Sequence, residues 1–139
     1  MQIQPYLSFR GDCEEAFGFY ERNLGGELGP LFRYGGSPMA DQVPPEWADK
    51  IMHGSVRVGG LLLQGADVDP DQFEELKGFS LSIHLRSSSD AERVFSALAE
   101  GGRVVMPLEK TFWAARFGVL VDRFGISWMI NCDGSDAGP

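Results

Sequence analysis

The sequence predicts an α+β fold built from two paired βαβββ modules, and three observations lead to this prediction. The first is an internal repeat, in which a shift of 76 positions places Phe19 on Phe95 and Gly25 on Gly101. The second is that each half opens with alternating apolar and polar residues, which is typical of a strand with one buried face. The third is a helical spacing of apolar residues behind each opening strand, closed by a pair of glycines.

The opening strand and helix have the same signals in both halves. Alternation predicts strands over 4–9 and 80–85. A helix start is predicted after each of them, because an acidic or hydroxyl residue followed three positions later by Glu has the spacing of a capping box. The two predicted boxes are Asp12 with Glu15 and Ser89 with Glu92.

Three more strands are predicted in each half, with a glycine-containing turn before the last one. They cover 27–34, 51–58 and 61–66 in the first half, and 103–108, 116–122 and 126–132 in the second. We therefore expect one domain over 1–139 that contains module 1 (about 1–66), module 2 (79–132) and an acidic linker (67–78). The long loop 35–50 is rich in proline, and Trp47 within it is a candidate lid or interface anchor.

Composition excludes several classes of function. Lys and Arg number 12 against 20 Asp and Glu, which gives a net charge of −8 and disfavours nucleic acids and anionic membrane surfaces as partners. No apolar run approaches the roughly 20 residues of a membrane span. The first residues lack the features of a secretory signal, so a cytoplasmic location is expected. Cys13 and Cys132 have no metal-binding spacing and are expected to be reduced, packed thiols.

Several motifs resemble those of the PhnB-like branch of the vicinal oxygen chelate superfamily, which includes glyoxalase I, extradiol dioxygenases and bleomycin-resistance proteins. The most specific are TFWAARFG at 111–118, DRFG at 122–125 and WMIN at 128–131, supported by YLSF at 6–9 and IMH at 51–53. The resemblance covers about 2–132. It implies that the two modules form a cupped mixed sheet, as in the glyoxalase/bleomycin-resistance/dioxygenase-like fold, and that the protein is a homodimer.

The resemblance also implies where a metal would be held, on the first and last strands of each module. The corresponding positions here are Gln4 or Pro5, Gln64, Ser80 or Leu81, and Met129. Amides, a hydroxyl and a thioether are weak donors with no negative charge, so no tight catalytic metal is predicted. One alternative remains open, in which His53, Gln64 and His84 hold a divalent metal weakly.

The ligand site is predicted on the polar strand faces, beside an aromatic group at Phe112, Trp113, Phe117 and Trp128. The ligand-binding candidates are Tyr6, His53, Gln64, His84, Trp113 and Arg116. Arg116 is a candidate anchor for an anionic ligand, and the alternative is that it pairs with an acid such as Asp122 or Glu109. No catalytic residue is assigned, although a neutral histidine can act as a general base.

Two classes of function remain open on these residues. One is a protein that binds a small organic ligand without chemistry, as bleomycin-resistance proteins do. The other is a metal- or His-dependent lyase, isomerase or dioxygenase-type enzyme. Some relatives in this branch carry a demethylubiquinone methyltransferase name, but a methyltransferase would need a glycine-rich cofactor loop after its first strand, for which this length and repeat leave no space. The sequence does not identify the ligand.

Overall fold

Both predicted modules are present in the computed structural model, which describes residues 1–134. The first lies within the unit Met1–Glu74, and the second lies within the unit that begins at Glu75. Each unit has the element order βαβββ and a four-stranded mixed sheet. The predicted fold class is confirmed.

In the first unit the chain order is β1, α1, β2, β3 and β4, and the order across the sheet is β1-β4-β3-β2. Strands β1 and β4 are parallel, and the other neighbours are antiparallel. Two 3₁₀ turns, Ala40–Gln42 and Pro45–Trp47, lie in the long loop between β2 and β3. The bounds are β1 Tyr6–Phe9, α1 Cys13–Leu24, β2 Glu27–Arg33, β3 Ile51–Val58 and β4 Leu61–Asp67.

The second unit repeats this arrangement, with β5-β8-β7-β6 as the order across its sheet and β5 parallel to β8. Its elements follow in the chain order β5, α2, β6, β7 and β8. Their bounds are β5 Leu81–Leu85, α2 Ser88–Ala99, β6 Arg103–Glu109, β7 Arg116–Val121 and β8 Ser127–Cys132. The predicted strands therefore agree with the observed ones to within one or two residues at each end.

Each helix covers one face of its own sheet. In the first unit the buried side chains of β1 meet α1, where the Phe9 and Phe17 rings pack edge to face at 5.6 Å. Gly65 of β4 lies beneath this contact, and a Cβ there would come within 2.9 Å of the Phe17 ring. In the second unit Gly118 of β7 is in the same situation, because a Cβ there would lie 2.7 Å from the Phe95 ring of α2. Close approach of helix to sheet requires glycine at both positions.

Of the two predicted helix starts, the one at Asp12 is confirmed and the one at Ser89 is wrong. Helix α1 has no side-chain cap from Asp12. Helix α2 begins earlier than predicted, with Ser87 as its N-cap, and the Ser87 hydroxyl accepts a hydrogen bond from the Asp90 amide at 3.2 Å. The spacing of the motif is short and common, so it also fits Ser89, which lies two residues after the true N-cap.

The buried carboxylate of Asp67 satisfies the amides at the start of α1 instead. Its Oδ1 accepts from the amides of Gly11 and Cys13, both at 2.9 Å, and its Oδ2 accepts from Ile51 at 2.8 Å. Asp67 is 1% exposed and is the last residue of β4, whereas the sequence placed it first in the acidic linker. One side chain therefore joins β4, the helix start and β3.

The face of each sheet opposite its helix is named here the helix-free face. On the first it carries the side chains that alternate with the buried ones of β1, β3 and β4, among them Tyr6, Ser55 and Gln64. On the second sheet, the helix-free face carries the side chains that alternate with the buried side chains of β7 and β8, among them Phe117 and Asn131. None of the helices in residues 1–134 has the length and apolar character needed to cross a membrane.

Candidate functional site

Three polar side chains line up across the helix-free face of the first unit. Strand register places Tyr6 beside Gln64, and Gln64 beside Ser55, on three adjacent strands. Their chain neighbours Leu7 and Leu63 are buried against α1, so the alternation of the strands turns the row away from the core. Two of the predicted ligand-binding residues, Tyr6 and Gln64, are therefore next to each other.

A cluster of three rings, which includes Tyr6, lies on one side of this row of polar side chains. The Tyr6 hydroxyl is 3.3 Å from His53 Nδ1, and the two ring centroids are 5.8 Å apart. Phe32 of β2, opposite His53 in the register, completes the cluster with a centroid distance of 6.3 Å. Tyr6 and Phe32 are each 53% exposed. The rings therefore present apolar surface to solvent, with the hydroxyl and imidazole linked to each other.

The Tyr6 hydroxyl keeps its proton at neutral pH. Partial burial, followed by the charges of Cys13 and Tyr34, raises its pKa above the ordinary value for tyrosine. A protonated phenol beside an imidazole is a hydrogen-bond donor, so Tyr6 can donate either to His53 or to a ligand.

A cleft of about 460 Å³ lies at the other side of the same row. Its lining includes Gln4, Arg57, Leu62 and Gln64. The Gln64 amide donates to Gln4 Oε1 at 3.1 Å, which orients both amides. Arg57 was not among the sequence candidates, although its position four residues after His53 on β3 indicates the same strand face.

The helix-free face of the second unit carries a different polar group. The register places His84 beside Asn131, and Asn131 beside Phe117. His84 Nε2 is 3.2 Å from the Ser82 hydroxyl, and His84 Nδ1 is 3.2 Å from Asn131 Nδ2. The Asn131 Oδ1 atom is buried and has no hydrogen-bond partner within the part of the chain that the structure describes. This face therefore offers one unused acceptor.

Trp113 lies beside this polar group. The Thr111 hydroxyl accepts from the Trp113 amide at 3.4 Å and from the Ala114 amide at 3.1 Å, which shapes the turn before β7. The Trp113 ring is 5.4 Å from Phe117 and 4.8 Å from Phe112, and it is 55% exposed. Trp113 therefore contacts Phe117, whereas Asn131 on β8 lies between His84 and Phe117.

Trp128 does not join that aromatic surface. It is 3% exposed, and its Nε1 donates to Asp122 Oδ2 at 2.9 Å. The other oxygen, Asp122 Oδ1, accepts from the amides of Phe124 and Ile126 at 2.9 and 3.0 Å. Trp128 is therefore a core residue that is fixed by a buried carboxylate.

Arg116 lies on the opposite side of its sheet from Phe117. Its register partner is the buried Cys132, and its Nε is 3.5 Å from Glu92 on α2. The alternative that Arg116 pairs with an acid is confirmed, but the acid is Glu92 and not Asp122 or Glu109, because alternation directs residue 116 toward the helix. Of the predicted ligand-binding residues in the second unit, Trp113 contacts Phe117, His84 lies on the same sheet face beside Asn131, and Arg116 faces the helix.

The donors at the predicted metal positions do not suit a divalent transition metal. Gln64 and Gln4 bond to each other, and the Ser80 hydroxyl is 2.6 Å from that of Ser127. Residues 1–134 contain no group of three or more His, Cys, Asp or Glu side chains placed to hold a metal ion. Since uncharged amides and hydroxyls bind such ions weakly, no chemical step is assigned to a metal.

Cys13 is expected to be inert. Burial, followed by the charges of Asp67 and Asp12, raises the pKa of its thiol far above the ordinary value. In a Cys132→Ala variant, which leaves one thiol, we expect slow reaction with a disulfide reagent such as DTNB at pH 8 and rapid reaction after denaturation. Because the folded thiol holds its proton more tightly, its contribution to stability is complete below the unfolded pKa of about 8.5 and declines as the pH rises past it. Rapid native labelling would contradict this.

Comparison with known proteins gives consistent matches over nearly the whole chain. The model of the family described as 3-demethylubiquinone-9 3-methyltransferase matches residues 1–131. Protein YjdN of Escherichia coli K12 is 34% identical over 139 residues, covering 94% of this chain and 95% of YjdN.

Among solved structures, protein PA1353 from Pseudomonas aeruginosa is 49% identical with a TM-score of 0.86, covering 96% of this chain and 98% of PA1353. The PhnB protein from Bacillus cereus is 26% identical with a TM-score of 0.82, covering 95% and 99% respectively. The fosfomycin resistance protein FosX from Mesorhizobium loti, at 9% identity, 94% and 90% coverage and a TM-score of 0.61, shares the fold alone.

Proposed function

Because the chain belongs to the 3-demethylubiquinone-9 3-methyltransferase family, the PhnB-like branch of the vicinal oxygen chelate superfamily, we propose that it binds a small organic ligand on its helix-free strand faces without transforming it. In the first unit the proposed contacts are Tyr6, His53 and Gln64. His84 and Trp113 are proposed as contacts on the helix-free face of the second unit taken by itself. The observation that carries the proposal is the half-exposed ring cluster of Tyr6, Phe32 and His53.

The ring cluster is suited to a flat ligand. Exposed aromatic faces that are held in place by strand register offer apolar area with little loss of side-chain freedom on binding. The amide of Gln64 and the hydroxyl of Tyr6 lie on the same row and supply directional hydrogen bonds. A few oriented polar groups beside an apolar surface are the usual composition of a small-molecule site.

Arg57 replaces Arg116 as the proposed anchor for an anionic group of the ligand. Arg57 lines the cleft that contains Gln64, whereas Arg116 faces α2 and Glu92. A guanidinium binds a carboxylate through two parallel hydrogen bonds. Glu27 is opposite Arg57 in the register but forms no ion pair with it within the described residues.

Methyl transfer, the activity in the family's description, is not part of the proposal. Methyltransferases that use S-adenosylmethionine need a glycine-rich cofactor loop after a first strand. Here the residues between β1 and α1 are Arg10, Gly11 and Asp12, and each sheet has one parallel pair of strands. The two βαβββ units therefore offer no such loop in that place.

A His-dependent lyase or isomerase is the second candidate, and the distance of 3.3 Å between Tyr6 and His53 favours it. An imidazole coupled to a phenol can accept a proton from a substrate. Incubation of the protein with a cell extract of small molecules, followed by ¹H NMR, distinguishes the two. A binding protein leaves the amount of every compound unchanged, whereas an enzyme consumes a compound, and His53→Ala stops that consumption.

The homodimer is also part of the proposal. Val104, Val105 and Met106 on the edge strand β6 are exposed apolar residues, a composition that favours association over exposure to water. Light scattering after gel filtration is expected to give twice the chain mass. A monomer over the working concentration range would remove this part of the proposal.

Binding of 2-naphthoate, a flat aromatic carboxylate, tests the ligand site. We expect saturable binding by calorimetry that weakens about tenfold in Arg57→Gln and in Tyr6→Ala, since each loses one directional or apolar contact. Arg116→Gln is the matched control and is expected to bind within about twofold of the parent protein, because its guanidinium faces the helix.

The same titration followed by ¹H–¹⁵N NMR locates the ligand. The amides of Tyr6, His53 and Gln64 are expected to shift. If Arg116→Gln weakens binding and Arg57→Gln does not, or if the shifts lie on the helix side of the sheet, the proposed site is wrong.

A further inference from the structure

We infer a second small-molecule site in the first unit, under the proline-rich loop between β2 and β3, for a flat apolar ligand that carries an amine. An open cavity of about 370 Å³ lies there between the loop and the segment that follows β4. It is called the loop pocket here. The residues used below are Tyr34, Val43, Pro44, Trp47, Val68 and Asp69, all of which line it.

The loop pocket is separate from the helix-free face. None of its lining residues lines the cleft at Gln64 and Arg57, and none belongs to the ring cluster of Tyr6. Its volume lies within the roughly 300–1,000 Å³ that is usual for small-molecule sites. A ligand bound here would therefore be detected independently of one bound beside Gln64.

Backbone hydrogen bonds hold the loop wall of the pocket in place. The Gly35 amide donates to the Ala48 carbonyl at 2.9 Å, and the Tyr34 amide donates to the Lys50 carbonyl at 3.0 Å, so the loop is closed at its base. Within the loop the Trp47 amide donates to the Pro44 carbonyl at 2.9 Å. Because the wall is already ordered, a ligand need not bear the entropic cost of ordering it.

The floor of the loop pocket is attached to the core of the first unit. The Tyr34 hydroxyl donates to the Asp67 backbone carbonyl at 2.7 Å, and the Val68 amide donates to the Phe9 carbonyl at 2.8 Å. With its proton committed to Asp67, the Tyr34 oxygen can serve a ligand only as an acceptor.

The chemistry of the lining selects for an amine. Apolar walls come from Val43, Pro44, Trp47 and Val68, and the charge comes from Asp69. One oxygen of Asp69 accepts from the Asp71 amide at 2.9 Å, which leaves the second without a partner among residues 1–134. The lining contains no Lys or Arg.

The ammonium of Lys50, a cation next to the loop, is engaged outside the pocket. Lys50 donates its ammonium to the Gly11 carbonyl at 2.8 Å and lies 6.0 Å from the Trp47 ring. It is not part of the lining. The acceptors and the carboxylate therefore favour a protonated amine over a carboxylate attached to the same ring.

Tryptamine and indole-3-propionate test this inference, because they share an indole ring and carry opposite charges. Calorimetry is expected to show saturable binding of tryptamine that is at least about tenfold tighter than that of indole-3-propionate. Asp69→Asn keeps the acceptor for the Asp71 amide and is expected to reduce that preference about fivefold or more. Val43→Phe fills the cavity and is expected to abolish tryptamine binding, while Tyr6→Ala leaves it unchanged.

The results of these titrations distinguish binding in the loop pocket from binding on the helix-free face. Shifts of the Gln42, Trp47 and Val68 amides in ¹H–¹⁵N spectra on adding tryptamine support the loop pocket, provided that the spectrum of Val43→Phe is that of a folded protein. The inference is overturned if tryptamine shifts the amides of Tyr6 and Gln64 instead, if Val43→Phe binds it as well as the parent does, or if both indoles bind equally. Should Val43→Phe not fold, Gln72→Trp at the exposed rim replaces it with the same expected loss.

Discussion

Replacement of Asp67 by alanine is expected to destabilise the protein by about 3–5 kcal/mol, since it leaves buried N–H donors unsatisfied at a cost of roughly 1–3 kcal/mol each. The three donors are the amides of Gly11, Cys13 and Ile51, all within 2.9 Å of the carboxylate. They belong to the start of α1 and to β3, so the loss is expected to loosen the helix end and the strand together.

Urea denaturation measures this effect, and two further variants define it. Asp67→Asn keeps the size and one oxygen but turns an NH₂ group toward N–H donors, so about half of the loss is expected. Asp71→Asn removes an exposed carboxylate from the same segment and is the matched control, with an expected change within about 0.5 kcal/mol. Equal effects of Asp67→Asn and Asp71→Asn would show that the buried carboxylate is not a structural clamp.

Replacement of Asp122 by alanine is expected to destabilise the protein by about 2–4 kcal/mol. Its carboxylate accepts from the Phe124 and Ile126 amides of the turn before β8 and from the Trp128 indole. The turn and the core tryptophan are thus held by one side chain that is 3% exposed. Loss of the near-ultraviolet circular dichroism of Trp128 is expected together with the loss of stability.

The variant Trp128→Phe distinguishes the contribution of the indole hydrogen bond to Asp122 from that of the two amide bonds in the turn. It removes one donor and some ring volume while the two amides keep their acceptor, so a smaller loss of about 1–2 kcal/mol is expected. Glu109→Ala on the exposed edge strand β6 is the control and is expected to be nearly neutral. A larger effect for Trp128→Phe than for Asp122→Ala would mean that ring packing, and not the carboxylate, dominates.

Local patterns in the sequence were sufficient for the fold. Alternation of apolar and polar residues over Ile51–Val58 and Arg116–Val121 predicts which side chains face the helix. The glycine pairs predict where both helices end. These signals need no distant partner, because a strand face and a helix stop depend on neighbouring residues. The strand bounds were therefore correct to within one or two residues.

Contacts between distant residues were not visible in the sequence. Asp67 lies 56 positions after Gly11 and 54 after Cys13, and its position at the start of an acidic stretch favoured a linker. The capping boxes were assigned to nearer residues for the same reason. A buried carboxylate in place of a cap has no short sequence signal.

The arrangement of the candidate site residues was predicted in part. Tyr6, His53 and Gln64 lie on the same face of the first sheet, as the alternation of their strands implies. The same alternation adds Arg57 to the ligand-binding candidates and removes Arg116 from them. The position of Arg116 next to an aromatic cluster in the sequence favours it as a ligand-binding residue. However, Gly118 and Leu120, which alternate with it along β7, face the helix. Side-chain direction along a strand is thus a stronger guide than closeness in sequence.

Metal analysis of protein purified without a histidine tag tests most directly whether uncharged donors have replaced a catalytic centre on these faces. After incubation with Zn²⁺ or Ni²⁺ and gel filtration, we predict far less than one equivalent per chain, with no difference between the parent protein and Gln64→Ala. One full equivalent that is retained by the parent and lost in Gln64→Ala or His53→Ala would contradict the proposal and favour a metal-dependent enzyme.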